Sequence, residues 1–255
     1  VARLGRSLVA IVAALALHSS PAIAGGAFSN WAAIFVAGDD HAHSGAHSEV
    51  FDNARRDLAI AFAKAGFSPA YMAQFSVHPE DYPTQNVLPA VPVLMADKLN
   101  KLAAAAKGGC LIYITSHGGP DGVIVLGPNI FTSAGVAGMI DDACGERPTV
   151  VIVSACYSGA FIPPLSAPNR LVLTAARPDR TSFGCGESDH YTFFDTCMLS
   201  ELPTAHDFLA LGRAVQACVA KREQDLGMSP PSEPQMWVGP AAAPDMPLLS
   251  FASSP

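Results

Sequence analysis

The sequence predicts an α/β fold built on a mostly parallel central sheet with helices on both faces. Three observations carry that expectation. Short β-branched and apolar runs alternate with helix-length segments, the pattern of a sheet covered on both sides. Two of the runs, LIYITSHGG from Leu111 and VVIVSACYSG from Val150, each stop at a reactive side chain followed by glycine. Half of the 255 residues are hydrophobic and only 15% are charged, which allows a sizeable core and argues against global disorder. The formal charge of −7 gives no electrostatic reason to expect a nucleic-acid partner.

The first two dozen residues are expected to stand outside the domain. Arg3 and Arg6 make a short basic start, Leu8 to Leu17 is apolar, and Ala22-Ile23-Ala24 has the form of a cleavage site. This is the layout of a secretory signal peptide, with an apolar run too short to span a bilayer. Residues 1–24 are therefore assigned to a signal peptide cleaved after Ala24, and residues 25–255 to a single domain with a proline-rich C-terminal tail. Cleavage removes two arginines and no acid, taking the formal charge from −7 to −9. No later run approaches spanning length, so the mature chain is expected to be periplasmic or secreted, with no membrane span.

The remaining elements follow in order. Trp31 to Val36 reads as the first strand and ends at Gly38-Asp39-Asp40. Glu49 to Ala65 places Val50, Ala54, Leu58, Ala61 and Phe62 at helical spacing, and Gly66 stops it. Ala70 to Phe75 is a weaker strand. The segment from His78 to Pro92 carries four prolines and reads as a surface loop. Val93 to Lys107 is an alanine-rich helix closed by Gly108-Gly109, and Leu111 to Thr115 is the third strand. Val123 to Leu126 reads as a hairpin arm. A helix capped by Thr132 or Ser133 runs to about Ala143. Thr149 to Ser154 and Leu171 to Ala175 are the fourth and fifth strands. Thr204 to Asp207 reads as a capping-box variant opening a helix to about Leu226, and Met236 to Val238 as a last strand.

The chemistry gathers where two of these strands end. An apolar run bounded by glycine is what a buried parallel strand looks like. Neighbouring strands joined by a helix put their C-terminal ends on one edge, where open α/β sheets place their sites. His117 and Cys156, 39 residues apart, would meet there as a base and a nucleophile. Gly118 lacks a Cβ, so its N–H can approach a substrate carbonyl, and the Cys156 N–H supplies a second oxyanion donor. Gly159 lets the chain turn away beneath.

Six cysteines are present, at 110, 144, 156, 185, 197 and 218. A free Cys156 leaves five, so at least one more is unpaired. Cys110 and Cys144 each precede a strand, at the N-terminal end of the sheet, and are the first choice for a bridge. No C-x-x-C spacing occurs, which argues against structural zinc. His41, His43 and His47 form a histidine-rich loop leaving the first strand; it reads as a solvated or substrate-contacting segment, and no metal or other cofactor is assigned.

SHGGPDGVIVL followed by VVIVSACYSG resembles the legumain family of cysteine peptidases, within the larger caspase-like group. LVLTAARPDRTSFGCGESDHYTFF is similar to that family's next strand and specificity loop, and WAAIFVAGDD to its first strand. The resemblance implies a caspase-like three-layer sandwich, a peptide or protein substrate, and a cysteine endopeptidase working through a thioester acyl-enzyme. It implies that His117 and Cys156 are the catalytic pair and Gly118 the oxyanion donor. Ser182 and Asp189 fall where the family's asparagine pocket has a serine and an aspartate. Tyr157 stands where legumain has an acidic residue, and Asp40 takes the place of the third, histidine-assisting residue; these four make up the expected substrate-binding set. Interception of the acyl-enzyme by an amine would make the same dyad a transpeptidase or transamidase. A catalytically silent peptide-binding protein is the rival from another class. A serine esterase is excluded because no G-x-S-x-G occurs.

Overall fold

The computed structural model describes residues 26–252 together with Val1. The expected signal peptide therefore lies outside the described residues, Val1 apart. The central sheet is formed by β1 (Trp31–Ala37), β2 (Met72–Ser76), β3 (Leu88–Pro89), β4 (Gly109–Thr115), β8 (Thr149–Ser154), β9 (Arg170–Thr174) and β10 (Gln235–Val238). Its order is β10-β9-β8-β4-β1-β2-β3. All neighbours pair in parallel except β10, which runs antiparallel to β9 at one edge. A separate antiparallel ribbon is made by β5 (Gly118–Gly119), β6 (Val123–Leu126) and β7 (Asn129–Thr132).

The period-2 alternation of the strands sends their side chains into two cores. Ala32, Ile34 and Val36 of β1, Ile112 and Ile114 of β4, and Val151 and Val153 of β8 face one side. Helices α2 (Pro92–Ala105), α3 (Ser133–Cys144) and α4 (Ile162–Leu165) supply residues that cover it. Trp31, Ala33, Phe35, Leu111, Tyr113, Val150 and Ile152 face the other, with α1 (Val50–Lys64), α5 (Phe193–Glu201) and α6 (Phe208–Asp225). β1, β4 and β8 are buried along their whole length. That explains why they read as continuous apolar runs rather than as alternating ones. A short helix α7 (Ala242–Asp245) follows β10. Among the described residues, no helix is long and apolar enough to cross a membrane.

Several boundaries differ from the sequence reading, each for a local reason. Pro69 opens a 3-10 turn over Pro69–Tyr71, so β2 begins at Met72 instead of Ala70. The proline-rich loop after His78 holds the two-residue strand β3, where Pro89, lacking an N–H, sits at the free edge of the sheet. Pro92 occupies the first turn of α2, a position where its missing donor costs nothing. Asp207 itself caps α6, accepting from the Ala210 N–H at 2.9 Å, so the capping box proposed from Thr204 is not the one used. Helix α5, absent from the sequence reading, is capped by Thr192, whose hydroxyl accepts from the Asp195 N–H.

Two disulfides tie the layers. Cys110–Cys144 joins the start of β4 to the end of α3, the pairing expected from the sequence. Cys197–Cys218 joins α5 to α6 and was not foreseen, because α5 was not. With the paired cysteines 34 and 21 positions apart in sequence, loop-closure entropy assigns each bridge about 3–4 kcal/mol.

One buried carboxylate gathers the strand ends. Asp195, fully buried in the first turn of α5, accepts from Tyr113 Oη at 2.7 Å and from Thr115 Oγ1 at 2.9 Å. Burial pushes its carboxyl above the ordinary range, and hydrogen bonds from Tyr113, Ser154, Thr115 and Thr192 pull it part of the way back. Replacing Asp195 by Ala strands buried hydroxyls, and urea titration should show a loss of about 2–4 kcal/mol. The raised carboxyl means that the folded state holds this proton to higher pH than the unfolded chain. Stability from this group therefore falls as pH rises from the ordinary carboxylate value through the raised one. Urea midpoints across the acid-to-neutral range should show that decline in the parent and a flatter profile in Asp195→Asn.

Candidate active site

Thr115 and Ser154 are register partners at the ends of β4 and β8. His117 and Cys156 each stand two residues beyond that pair, on one edge of the sheet. The chain turns sharply after each. Past His117 it enters β5, where a Cβ on Gly118 would lie 2.2 Å from the carbonyl oxygen of Cys156. No side chain fits in that gap, so glycine is what lets the β5 turn close on the cysteine. Past Cys156, Tyr157 adopts φ +57°, a left-handed conformation that costs a non-glycine residue roughly 1 kcal/mol. Its N–H is held by the carbonyl of Arg180 at 2.7 Å. Gly159 then packs against Pro178, where a Cβ would approach the ring to 2.6 Å.

Neither N–H expected to serve an oxyanion is taken up by the ribbon. The Val125 N–H donates to the His117 carbonyl, so His117 and Val125 are a hydrogen-bonded pair of the ribbon. The next pair, Gly118 and Ile124, must be of the non-bonded kind, which turns the Gly118 N–H away from β6. Among the described residues, the Cys156 N–H has no backbone acceptor.

The histidine is oriented by backbone. His117 Nε2 lies 3.0 Å from the carbonyl oxygen of His41. A carbonyl only accepts, so Nε2 carries the proton and Nδ1 keeps the lone pair. Phe51 of α1 meets the ring edge-on at 5.0 Å. Cys156 Sγ is held by Ser182: the Ser182 N–H donates to it at 3.3 Å, and the Ser182 carbonyl and hydroxyl lie at 3.7 and 3.6 Å.

A model of the Peptidase C13 family matches residues 69–208, more than half of the chain. The chain belongs to the Peptidase C13 family. Among solved structures, caspase-1 from Spodoptera frugiperda is similar over 92% of this chain and 94% of its own, with a TM-score of 0.60 and 16% identity. At that identity the likeness carries the fold, and the fold is the caspase-like α/β sandwich expected from the sequence. No curated protein matches the chain. The C13 chain is thus a cysteine-peptidase-like protein, and such a protein takes peptide or protein substrates. The matched span contains His117, Cys156, Ser182 and Asp189, whereas the loop from Asp39 to His47 precedes it.

The remaining expected residues divide. Ser182 touches the cysteine sulfur directly. Asp189 closes a tight turn, its carboxylate accepting from the Gly186 N–H at 2.8 Å. Tyr157 is half-buried beside the cysteine. Asp40 does not reach His117; the contact belongs to the carbonyl of the next residue, and the Asp40 carboxylate engages His41, His47 and His78 instead. A main-chain acceptor leaves no trace in residue identity, which is why the sequence pointed only to its neighbourhood. The two loops expected to hold specificity meet each other. The His43 N–H donates to the Cys185 carbonyl at 3.2 Å, and the Ser44 hydroxyl donates to the Glu187 carboxylate.

Cys185 is the second free cysteine, packed against Ala37, Val50 and Phe51. Burial, with added repulsion from Cys156 and Asp189, pushes its thiol up to about 11. Iodoacetamide labelling of Cys185, followed by peptide mapping, should be slow at neutral pH. It should then rise nearly tenfold per pH unit until the solution approaches that value.

Proposed function

We propose that this protein is an exported cysteine endopeptidase in which Cys156 is the nucleophile and His117 the base. The observation that supports the reading is the placement of His117 and Cys156 just past the ends of adjacent parallel strands, with Gly118 packed on the Cys156 carbonyl and the His117 tautomer set by a backbone carbonyl. Nδ1 of His117 takes the thiol proton as Cys156 Sγ attacks the carbonyl carbon of the scissile peptide bond. The resulting oxyanion is received by the N–H groups of Gly118 and Cys156. Collapse breaks the C–N bond, and His117 returns its proton to the departing amine, leaving a thioester on Cys156. Water, deprotonated by His117, then adds to the thioester and releases the acid and the thiol. In the free protein the sulfur rests on Ser182, and catalytic hydrogen bonds of this kind commonly tighten only with substrate.

Export is supported by the signal-peptide pattern and by the two disulfides, which belong to oxidising compartments. Ser182, Asp189, Tyr157 and Asp40 are the proposed substrate-facing set, a reading supported by the contact of Ser182 with the cysteine sulfur.

A fluorogenic peptide library and a peptide electrophile test the assignment. Cys156→Ala should abolish labelling, and both it and His117→Ala should lower cleavage by about 10³-fold or more. Undiminished labelling of Cys156→Ala would overturn the reading. Gly118→Ala, whose added methyl collides with the Cys156 carbonyl, should reduce kcat by about 10²-fold with cysteine labelling retained.

A further inference from the structure

The loop that leaves β1 folds into a small hairpin. The Ala42 N–H donates to the Ala46 carbonyl at 2.7 Å, the Gly45 N–H to the Ala42 carbonyl at 2.9 Å, and the Ser48 N–H to the Asp40 carbonyl at 2.8 Å. This hairpin carries the His41 carbonyl that orients His117. Three carboxylates crowd its base: Asp39, Asp40 and, from α1, Asp52. The first two side chains are only 13% and 16% exposed, and Asp52 is buried. Burial, with added repulsion from Asp40, holds the Asp52 carboxyl above the ordinary range, although Arg55 answers it at 2.7 Å. Among the described residues, the ion pairs of Asp39 and Asp40 are all with imidazoles. His41 Nδ1 lies 3.1 Å from Asp39 Oδ1 and 2.9 Å from Asp40 Oδ1, and His47 Nδ1 lies 3.5 Å from Asp40 Oδ2. His78 Nε2 reaches the same Asp40 oxygen at 3.3 Å. His41 and His47 belong to the hairpin itself, whereas His78 comes from the loop after β2 and so ties two loops together. Its other ring nitrogen, Nδ1, lies 3.1 Å from Glu80 Oε1. Its main-chain N–H donates to Ser76 Oγ at 3.1 Å, and that hydroxyl donates to Asp52 at 2.9 Å.

We propose that His78 is a positioning residue for the His117 site: its imidazolium clasps the loop after β2 to the β1 hairpin through Asp40, and the clasp opens when the ring loses its proton. Both ring nitrogens face a carboxylate, and a carboxylate only accepts, so only the doubly protonated ring satisfies both contacts. A neutral ring keeps one N–H and turns a lone pair on the other partner. Asp40 then repels Asp39 and Asp52 with one countercharge fewer. The hydrogen bond to Glu80, with the charges of Asp40, Glu80 and Asp81, holds the His78 proton above the ordinary histidine value. The clasp is therefore whole below that ordinary value and is lost as pH rises through the raised one. The other imidazoles on Asp40, His41 and His47, act in the same direction, because each pairs with it by charge only while protonated. Arg55 is engaged by Asp52, Gln74 and Gln85. Opening loosens the hairpin whose His41 carbonyl sets the His117 ring. That consequence for catalysis rests on the base proposed above; the clasp itself does not.

The test uses the whole protein with its disulfides formed. Imidazole titration followed by NMR should place the His78 midpoint above the ordinary histidine value, and Asp40→Asn should lower it. Hydrogen exchange reads the hairpin directly. Corrected for the base catalysis of exchange itself, protection of the Ala42, Gly45 and Ser48 amides should fall about threefold or more as pH rises through that midpoint, while the β1 amides keep theirs. His78→Gln should shrink this step and leave the hairpin near its open level throughout. His78→Lys, which keeps a cation at neutral pH, should also shrink the step but hold the hairpin closed, a rescue that packing alone does not give. His78 is exposed, and far-UV circular dichroism checks that both variants fold. In a cleavage assay, the ratio of kcat in His78→Lys to that of the parent should rise with pH over the same interval. An unshifted His78 midpoint in Asp40→Asn, an undiminished step in His78→Gln, or a hairpin as open in His78→Lys as in His78→Gln would each overturn the proposal. Titration and exchange need no turnover, so a failed clasp leaves the roles of Cys156 and His117 standing, and an inactive peptidase leaves the clasp standing.

Discussion

Asp195 is the constraint on which the geometry of the strand edge depends. A buried carboxylate is expensive unless its oxygens are satisfied, and here the satisfying groups are drawn from the places that must be held. Tyr113 and Thr115 come from the end of β4, two residues before His117. Ser154, which adds to the stabilisation of the charged form, comes from the end of β8, two residues before Cys156. Thr192 caps α5 and bonds both Asp195 and, at 3.4 Å, Ser154. The strands pair through their backbones, but the side-chain network fixes how far each runs before it turns. The penalty for burying one charge thereby becomes a demand for one arrangement of two strand ends and a helix.

Backbone constraint completes what the network begins. The gap between Gly118 and Cys156 admits no side chain, and Tyr157 is held left-handed by the Arg180 carbonyl. These features put main-chain N–H groups, rather than mobile side chains, beside Cys156. The same economy holds for His117, whose ring is set by a carbonyl and by the edge of a buried phenylalanine.

The parallel sheet and the placement of His117 and Cys156 at its edge were legible because their signals are local. Runs such as LIYIT and VVIVS carry burial on both faces in their composition, and each ends at its reactive residue. Helix α5 was not legible, since at nine residues it is too short to show a clear helical period; Phe193, Phe194, Cys197 and Met198 are all buried. With α5 went its disulfide and Asp195, whose role depends on hydroxyls some 80 residues away in sequence. The convergence of His78 on Asp40 is likewise tertiary: it joins loops from neighbouring strands, β1 and β2. The Cys110–Cys144 bridge, by contrast, followed from which end of the sheet each cysteine occupied.

The two cross-links have a practical consequence for anyone preparing the protein. Together they supply about 6–8 kcal/mol, comparable with the whole stability of an ordinary domain. A chain made where thiols stay reduced lacks that margin and has little left to fold with. It also carries two free thiols, Cys156 and Cys185, that can exchange with half-formed bridges. Oxidative refolding is therefore a contest between two native pairings and the protein's own free thiols. The Cys156→Ala chain is the better starting material, and the wild type is best produced where disulfides form as the chain emerges.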